Sequence, residues 1–259
     1  MDKTNNLTKK QLEILTLLYR FRFLNRLQIQ KLLNHQYLNR ITIWLNQLTA
    51  TNHIRRNYNT KTVTIPAIYS LGLNGRKYLL KQSDLKKINK TILDRVWREK
   101  KLSDQFKKHC LLVADIYLSL ITLIEKSGSI LNFRTKTELS NIKDLISPNP
   151  DAYFSLTKTN GNKKRYFLDI FNDWPPRMYL RKRVNQYLEF YQTNIWQDQQ
   201  TDPFPQIILV CPEDRAKKYL CRYIKKKLEY ELEPQFYLST SNQIKTKGLV
   251  REVLEKVEV

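Results

Sequence analysis

The stretch NPDAYFSLTKTNGNKKRYFLDIFND, residues 149–173, carries Asp151 on one side of an Asn-Gly turn and Asp169 on the other, with Asp173 at its end. Its flanks alternate: Ala152, Phe154 and Leu156 interleave with Tyr153, Ser155 and Thr157, and Tyr166, Leu168 and Ile170 interleave with Phe167, Asp169 and Phe171. A period of two is the mark of a β-strand, so the segment reads as a hairpin. With a three-residue loop Thr159-Asn160-Gly161 and Gly161 in the left-handed position such loops favour, 152 opposes 168, 154 opposes 166 and 151 opposes 169. Opposed residues share a sheet face, so this register builds one continuous apolar face and sets the two carboxylates side by side. A two-residue Asn-Gly loop would set Asp169 against Ala152 and spoil both faces. Two adjacent carboxylates repel unless protonated or bridged by a cation, which makes Asp151 and Asp169 candidate ligands for a hard ion, Mg²⁺ or Mn²⁺.

Outward from the hairpin, the second half of the chain alternates helical and strand periods. The apolar stripe Leu112, Ile116, Leu120, Leu123/Ile124 predicts a long helix over Asp104–Glu125. Strands are expected at Ile130–Leu139, Ala152–Thr157, Lys164–Phe171, Gln206–Cys211 and Gln235–Ser239, and helices at about Met178–Tyr191 and Glu213–Glu231. Helix, three strands, helix, strand, helix, strand describes a mixed sheet flanked by helices.

Toward the N-terminus the pattern differs. Leu12, Leu15, Leu18 and Tyr19 recur at helical spacing behind the capping residue Thr8. A second helix follows Asn25, and after the break Asn34-His35-Gln36 a third runs over Tyr37–Thr49 with Leu38, Ile41, Leu45 and Leu48 on one face. Two short helices across a tight polar turn make a helix-turn-helix. His53–Tyr58 and Thr62–Ser70, joined by Asn59-Thr60-Lys61, read as a hairpin, and Asn74–Leu80 as a closing helix. The expected fold class is therefore α+β: a winged helix-turn-helix over 7–81, a charged, part-helical linker over 82–102, and a mixed α/β domain over 103–259.

The chain holds 46 Lys+Arg against 24 Asp+Glu, a formal charge of +22. AT-rich coding bias raises Lys without any ligand. It does not explain why residues 1–100 hold 20 of the basic residues and only 5 acids. A concentrated basic excess points to a polyanion, and with the winged-helix pattern to double-stranded DNA. The second helix of such a module enters the major groove. Its exposed face offers Asn39, Arg40, Thr42, Ile43 and Asn46, among them side-chain types that pair with base edges. Arg55, Arg56 and Lys61 fall on the wing, and Gln28, Gln30 and Lys31 stand within reach of phosphate. Trp44 falls beside the apolar stripe and is assigned to the core. No apolar run reaches the length of a membrane span, and MDKTNNLTKK lacks a signal-peptide core, so a cytoplasmic protein is expected. Three cysteines without a CxxC pair and three scattered histidines exclude a disulfide framework and a structural zinc site.

Pro150-Asp151, then an acid within a hydrophobic strand (Phe167-Leu168-Asp169-Ile170), then a basic helix, resembles the PD-(D/E)XK nuclease core. That resemblance implies metal binding by Asp151 and Asp169, with Asp115 or Glu138 as a third carboxylate. It also implies a lysine two residues after the second acid, where this chain has Phe171. Lys182 or Arg183 on the following helix could substitute. More of the chain is similar to the replication-relaxation family: YSLGLNGRKYLL (69–80), HCLLVADIYLSL (109–120), PDAYF (150–154), YFLDIFND (166–173), RVNQYLEFY (183–191) and PQIILVCPEDR (205–215) occur in that family's order. Within it, Asp169 stands where Glu is usual and Arg183 where Lys is usual. The family implies a winged helix joined to a degenerate nuclease-like (restriction-endonuclease-like) domain, and a role in the replication or transfer of a plasmid or other mobile element.

Three functions compete at this level. The first is a non-catalytic DNA-binding protein whose second domain clamps DNA or a partner through Arg177–Arg183, with Arg181 and Arg183 as phosphate contacts. The second is a metal-dependent endonuclease with Asp151, Asp169 and Lys182 as catalytic residues. The third is a winged-helix transcriptional regulator. The missing lysine favours the first. Homodimers and replication or transfer proteins are candidate partners. The bland alternatives for the acids are a turn cap for Asp151 and an ion pair of Asp169 with Lys164, Arg181 or Lys182.

Overall fold

The computed structural model describes residues 7–58, 66–81, 88–99, 102–140, 148–171, 173, 176–199, 203–228 and 233–258. The expected wing turn 59–61, with Lys61, lies outside them. The protein is α+β, and its chain divides into two compact units, Met1–Ala114 and Asp115–Val259.

The first unit opens with helix α1 (Lys9–Phe21), capped by a reciprocal pair in which Thr8 and Gln11 satisfy each other's backbone amides. A two-residue strand β1 (Leu24–Asn25) leads into α2 (Arg26–Leu32), capped the same way by Asn25 and Gln28. After the turn at 33–37 comes α3 (Leu38–Ala50). Strands β2 (Ile54–Asn57) and β3 (Ile68–Leu71) complete a three-stranded antiparallel sheet in the order β1-β3-β2. Ile14, Leu15, Leu18, Ile29, Ile41 and Leu45 are fully buried between these elements, as the helical periods require. Helix α4 (Leu73–Lys81) follows, seated by two glycines whose missing Cβ allows backbone contact. A Cβ at Gly72 would run into the Asn52 carbonyl, and one at Gly75 into that of His53.

The segment read as a linker contributes α5 (Lys90–Arg98), whose Ile92, Leu93 and Val96 are buried. Arg76 on α4 bonds Asp94 on α5 at 2.6 Å. Only three of nine positions on α5 face the core, and in a highly charged segment so narrow a stripe reads as a weak apolar period.

Helix α6 (Asp104–Ser127) runs on into the second unit, where a six-stranded sheet has the order β4-β5-β6-β7-β8-β9. Strands β4 (Ile130–Thr135), β5 (Ala152–Thr157) and β6 (Lys163–Ile170) are antiparallel, and β7 (Gln206–Cys211) and β8 (Phe236–Thr240) continue parallel to β6. The short β9 (Glu255–Lys256) closes the edge antiparallel. The expected strand over Ile130–Leu139 ends at Thr135, because Thr135 and Glu138 form a capping box that starts the one-turn helix α7 (Lys136–Leu139).

Helices α8 (Arg177–Gln192) and α10 (Asp214–Leu228) cover one face of the sheet, packing Leu180, Val184, Tyr187, Leu220 and Ile224 onto Phe167, Leu209, Phe236 and Leu238. Short helices α9 (Ile195–Gln199) and α11 (Ser241–Lys247) complete the elements that matter here. All of Ile207–Cys211 is buried, as expected for a strand covered on both faces.

The hairpin has the register expected from its alternation. Ala152 pairs with Leu168 and Phe154 with Tyr166. Lys158 and Asn162 close the loop, and Gly161 takes φ +80°.

Candidate functional site

Asp151 lies just before β5, whose Ala152 pairs with Leu168, and its charge acts directly on the Asp169 carboxyl of β6. The Asp151 amide donates to the Leu168 carbonyl at 3.0 Å. Its Oδ2 accepts from the Ile170 amide at 3.0 Å, and its Oδ1 lies 3.3 Å from Lys136 Nζ. Asp169 is held from α8. Its Oδ2 accepts from Arg183 Nε at 2.7 Å and from the Tyr187 hydroxyl at 2.6 Å, while its Oδ1 accepts from Arg183 Nη2 at 2.6 Å. The same Nη2 donates to the Asn149 carbonyl at 2.8 Å. Arg183 and Tyr187 stand one helical turn apart, on one flank of α8, which is why both reach a single carboxylate.

Burial pushes the Asp169 carboxyl up, and the forked guanidinium and the Tyr187 hydroxyl pull it back toward the ionised form. Burial also works against the Arg183 charge, but the Asp169 carboxylate outweighs it and holds the guanidinium above its ordinary value. Burial, then the charge of Asp169, pushes Tyr187 well up, so its hydroxyl keeps the proton it donates. The result is a buried bidentate ion pair with a third bond to Asp169 from a neutral donor.

This arrangement does not fit a metal ion. A hard divalent cation binds through carboxylate oxygens that no other cation holds, and here the Arg183 guanidinium already holds both oxygens of Asp169 while Asp151 accepts from the Ile170 amide and faces Lys136. The guanidinium supplies the positive charge that the register demands. Among the described residues, no three His, Cys, Asp or Glu side chains gather as a metal site requires. The other sequence candidates disperse. Asp115 is exposed on α6, and Glu138 turns back to the Thr135 amide at 2.8 Å. Phe171 occupies the expected lysine position and is core, 4% exposed, edge-on to Tyr179. Lys182 is exposed on the outer face of α8, turned away from the acids. Arg183, read from sequence both as a DNA contact and as a substitute for the missing lysine, turns inward, where the buried Asp169 takes its Nε and Nη2. The roles of Tyr187, Lys136 and Asn149 were missed. The i, i+4 spacing of Arg183 and Tyr187 was the available signal.

In the first unit, α3 presents Asn39, Arg40, Ile43 and Asn46 to solvent, while Ile41, Leu45 and Leu48 anchor it. Thr42 is half-buried, its hydroxyl accepting from Arg26 at 3.2 Å and donating to the Leu38 carbonyl at 3.1 Å. Trp44 is half-buried, its ring edge-on to His35 with the Arg40 guanidinium above it. On β2, Arg56 is exposed and lies over the Tyr58 ring, and Arg55 is half-buried. Gln28 is not a phosphate contact: it caps α2 and its Nε2 donates to the Leu111 carbonyl at 2.9 Å.

The replication-relaxation family model matches residues 15–207, three-quarters of the chain, and spans both the α3 face and the acidic hairpin. The chain belongs to the replication-relaxation family. No curated protein matches it. Two solved structures of mutants of ZitR from Lactococcus lactis align at 20% identity and a TM-score of 0.28, covering 48% of this chain and 78% of theirs. In this replication-relaxation protein no helix among the described residues is long and apolar enough to cross a membrane.

Proposed function

We propose that this protein binds double-stranded DNA in the replication or transfer of a mobile element, such as a plasmid, and does not cleave it. The first unit acts as a winged helix: α2 and α3 form the helix-turn-helix, and β2 and β3 carry the wing. The observation that carries this reading is the outward face of α3, where Asn39, Arg40 and Asn46 are exposed on a helix fixed from below by three buried apolar residues. Such a helix can enter a major groove without repacking, and its Arg and Asn can hydrogen-bond base edges. Thr42 supports the face, Arg56 is the exposed wing cation, and Arg55 stands beside it. In the nuclease-like second unit the metal-binding acids have become a structural pair, their cation supplied by Arg183.

The test is binding to mobile-element DNA of the full chain and of Arg40→Ala with Arg56→Ala. The double variant should bind more weakly, with the slope of log K against log salt shallower by about 0.9 for each phosphate that is no longer neutralised. Unchanged affinity and slope would remove the winged-helix assignment. In parallel, supercoiled plasmid incubated with Mg²⁺ or Mn²⁺ should remain intact. Nicking by the wild type that disappears in Asp151→Ala would restore the endonuclease reading.

A further inference from the structure

The basic residues of the second unit are not evenly spread. Helices α8 and α10 together carry eleven Lys and Arg against Glu189 and Asp214, and they pack side by side on the same sheet face. The Tyr223 hydroxyl donates to Asn185 Oδ1 at 2.8 Å, and the Arg177 guanidinium lies over the Tyr219 ring at 4.9 Å. These two interactions fix the seam between the helices. Above it is an open groove of about 420 Å³ lined by Met178, Arg181, Lys182, Asn185, Gln186, Glu189 and Tyr223. Along the crest of α10, Arg215, Lys218, Arg222 and Lys226 are exposed at three- and four-residue intervals, so they form a single row.

We infer that the α8–α10 face is a second DNA-binding surface, which grips the phosphate backbone of a duplex without reading its sequence. This rests on the reading of the protein as DNA-binding and adds a site in the other unit. The dimensions suit a duplex strand: from Arg215 to Lys226 the row spans ~16 Å at ~1.5 Å per residue. That is the rise of about five nucleotides of one strand. Arg181 and Lys182 extend the positive surface across the groove. The row offers charge and little else. Tyr223 is tied to Asn185 and Tyr219 is covered by Arg177, so neither is a free platform for an unstacked base, which single-strand binding requires. Glu189 at the far end of the groove limits the surface on that side.

The experiment compares the full chain with Arg181→Gln, Lys182→Gln, Lys218→Gln, Arg222→Gln combined. A charge-matched control carries Lys158→Gln, Lys163→Gln, Lys245→Gln, Lys247→Gln, all exposed and all outside the two helices. Binding to a random-sequence duplex and to a single strand of the same length is followed by fluorescence anisotropy from ~50 to ~200 mM salt. Removing four phosphate-neutralising cations lowers the salt slope by ~3.6, so the fall in affinity across that range shrinks by about 150-fold. The inference expects this for the combined variant on duplex and not for the control. It is overturned if the variant equals wild type, if the control falls equally, or if only single-strand binding changes. If this variant is unaffected while Arg40→Ala with Arg56→Ala abolishes binding, the winged-helix reading stands and this one fails. The reverse pattern sinks the winged-helix reading and leaves this surface in place.

Discussion

Replacing Arg183 with methionine keeps much of the side-chain volume and removes the cation from beside two buried carboxylates. Asp169 is 4% exposed and Asp151 8%, so neither recovers hydration without local opening. Four hydrogen bonds go with the guanidinium: both arms of the fork to Asp169, the Nη2 bond to the Asn149 carbonyl and the Nη1 bond to Gln186 Oε1. The Tyr187 hydroxyl remains, which leaves Asp169 one donor. Breaking a buried pair by removing one partner costs about 3–5 kcal/mol, mostly through the uncompensated charge left behind. With a urea m-value of about 2–3 kcal/mol/M, that lowers the unfolding midpoint by roughly 1–2.5 M. Circular dichroism during urea titration reads it directly. Adding Asp169→Asn to Arg183→Met removes the stranded charge, so the double variant should recover much of the stability, because a neutral pair carries little of that penalty. A destabilisation below about 1 kcal/mol in the single variant, or a double variant as unstable as the sum of the two singles, would refute the account of a buried, mutually dependent pair.

Three other outcomes follow from the same geometry. Millimolar Mg²⁺ should leave the melting temperature of the wild type unchanged, since an ion stabilises a fold only by binding its native state; a clear upward shift by differential scanning fluorimetry would mean the acids do hold metal. Burial keeps the His53 imidazole below its ordinary 6.5, so below that pH the unfolded chain takes up a proton that the folded chain resists. Stability is then full above pH 6.5 and declines as pH drops through it toward the folded value, and His53→Gln should flatten that part of a melting-temperature profile. Gly75→Ala should destabilise the first unit by about 1–3 kcal/mol, because its Cβ meets the His53 carbonyl and α4 must lift; an unchanged melting temperature would show that the seat is looser than described.

The hairpin register was legible because apolar alternation, loop length and Gly161 all demanded one pairing. The three N-terminal helices were legible for the same reason, each with a clean apolar stripe and two with a capping residue in place. What sequence hid was direction. Arg181, Lys182 and Arg183 are consecutive basic residues on one helix, and only the i, i+4 spacing of Arg183 to Tyr187 hints that the third turns inward. That choice is made by Asp169, on another strand, and by the ~100° rotation between successive helical residues. Lys136 was hidden similarly: the capping box at Thr135 ended a strand one turn earlier than the apolar pattern suggested, and so brought a lysine beside Asp151. The burial of α5 went unread because its few apolar residues sit in a highly charged segment.

The bond between Arg183 and Asp169 also governs what its neighbours can do. Because Arg183 is anchored, α8 cannot roll about its own axis without tearing a buried ion pair, so the bearing of Arg181 and Lys182 toward solvent is set before any ligand arrives. Asp169 is in this way the mounting for the exposed basic residues of α8, and a surface held in place so gives up less freedom when it closes on a partner.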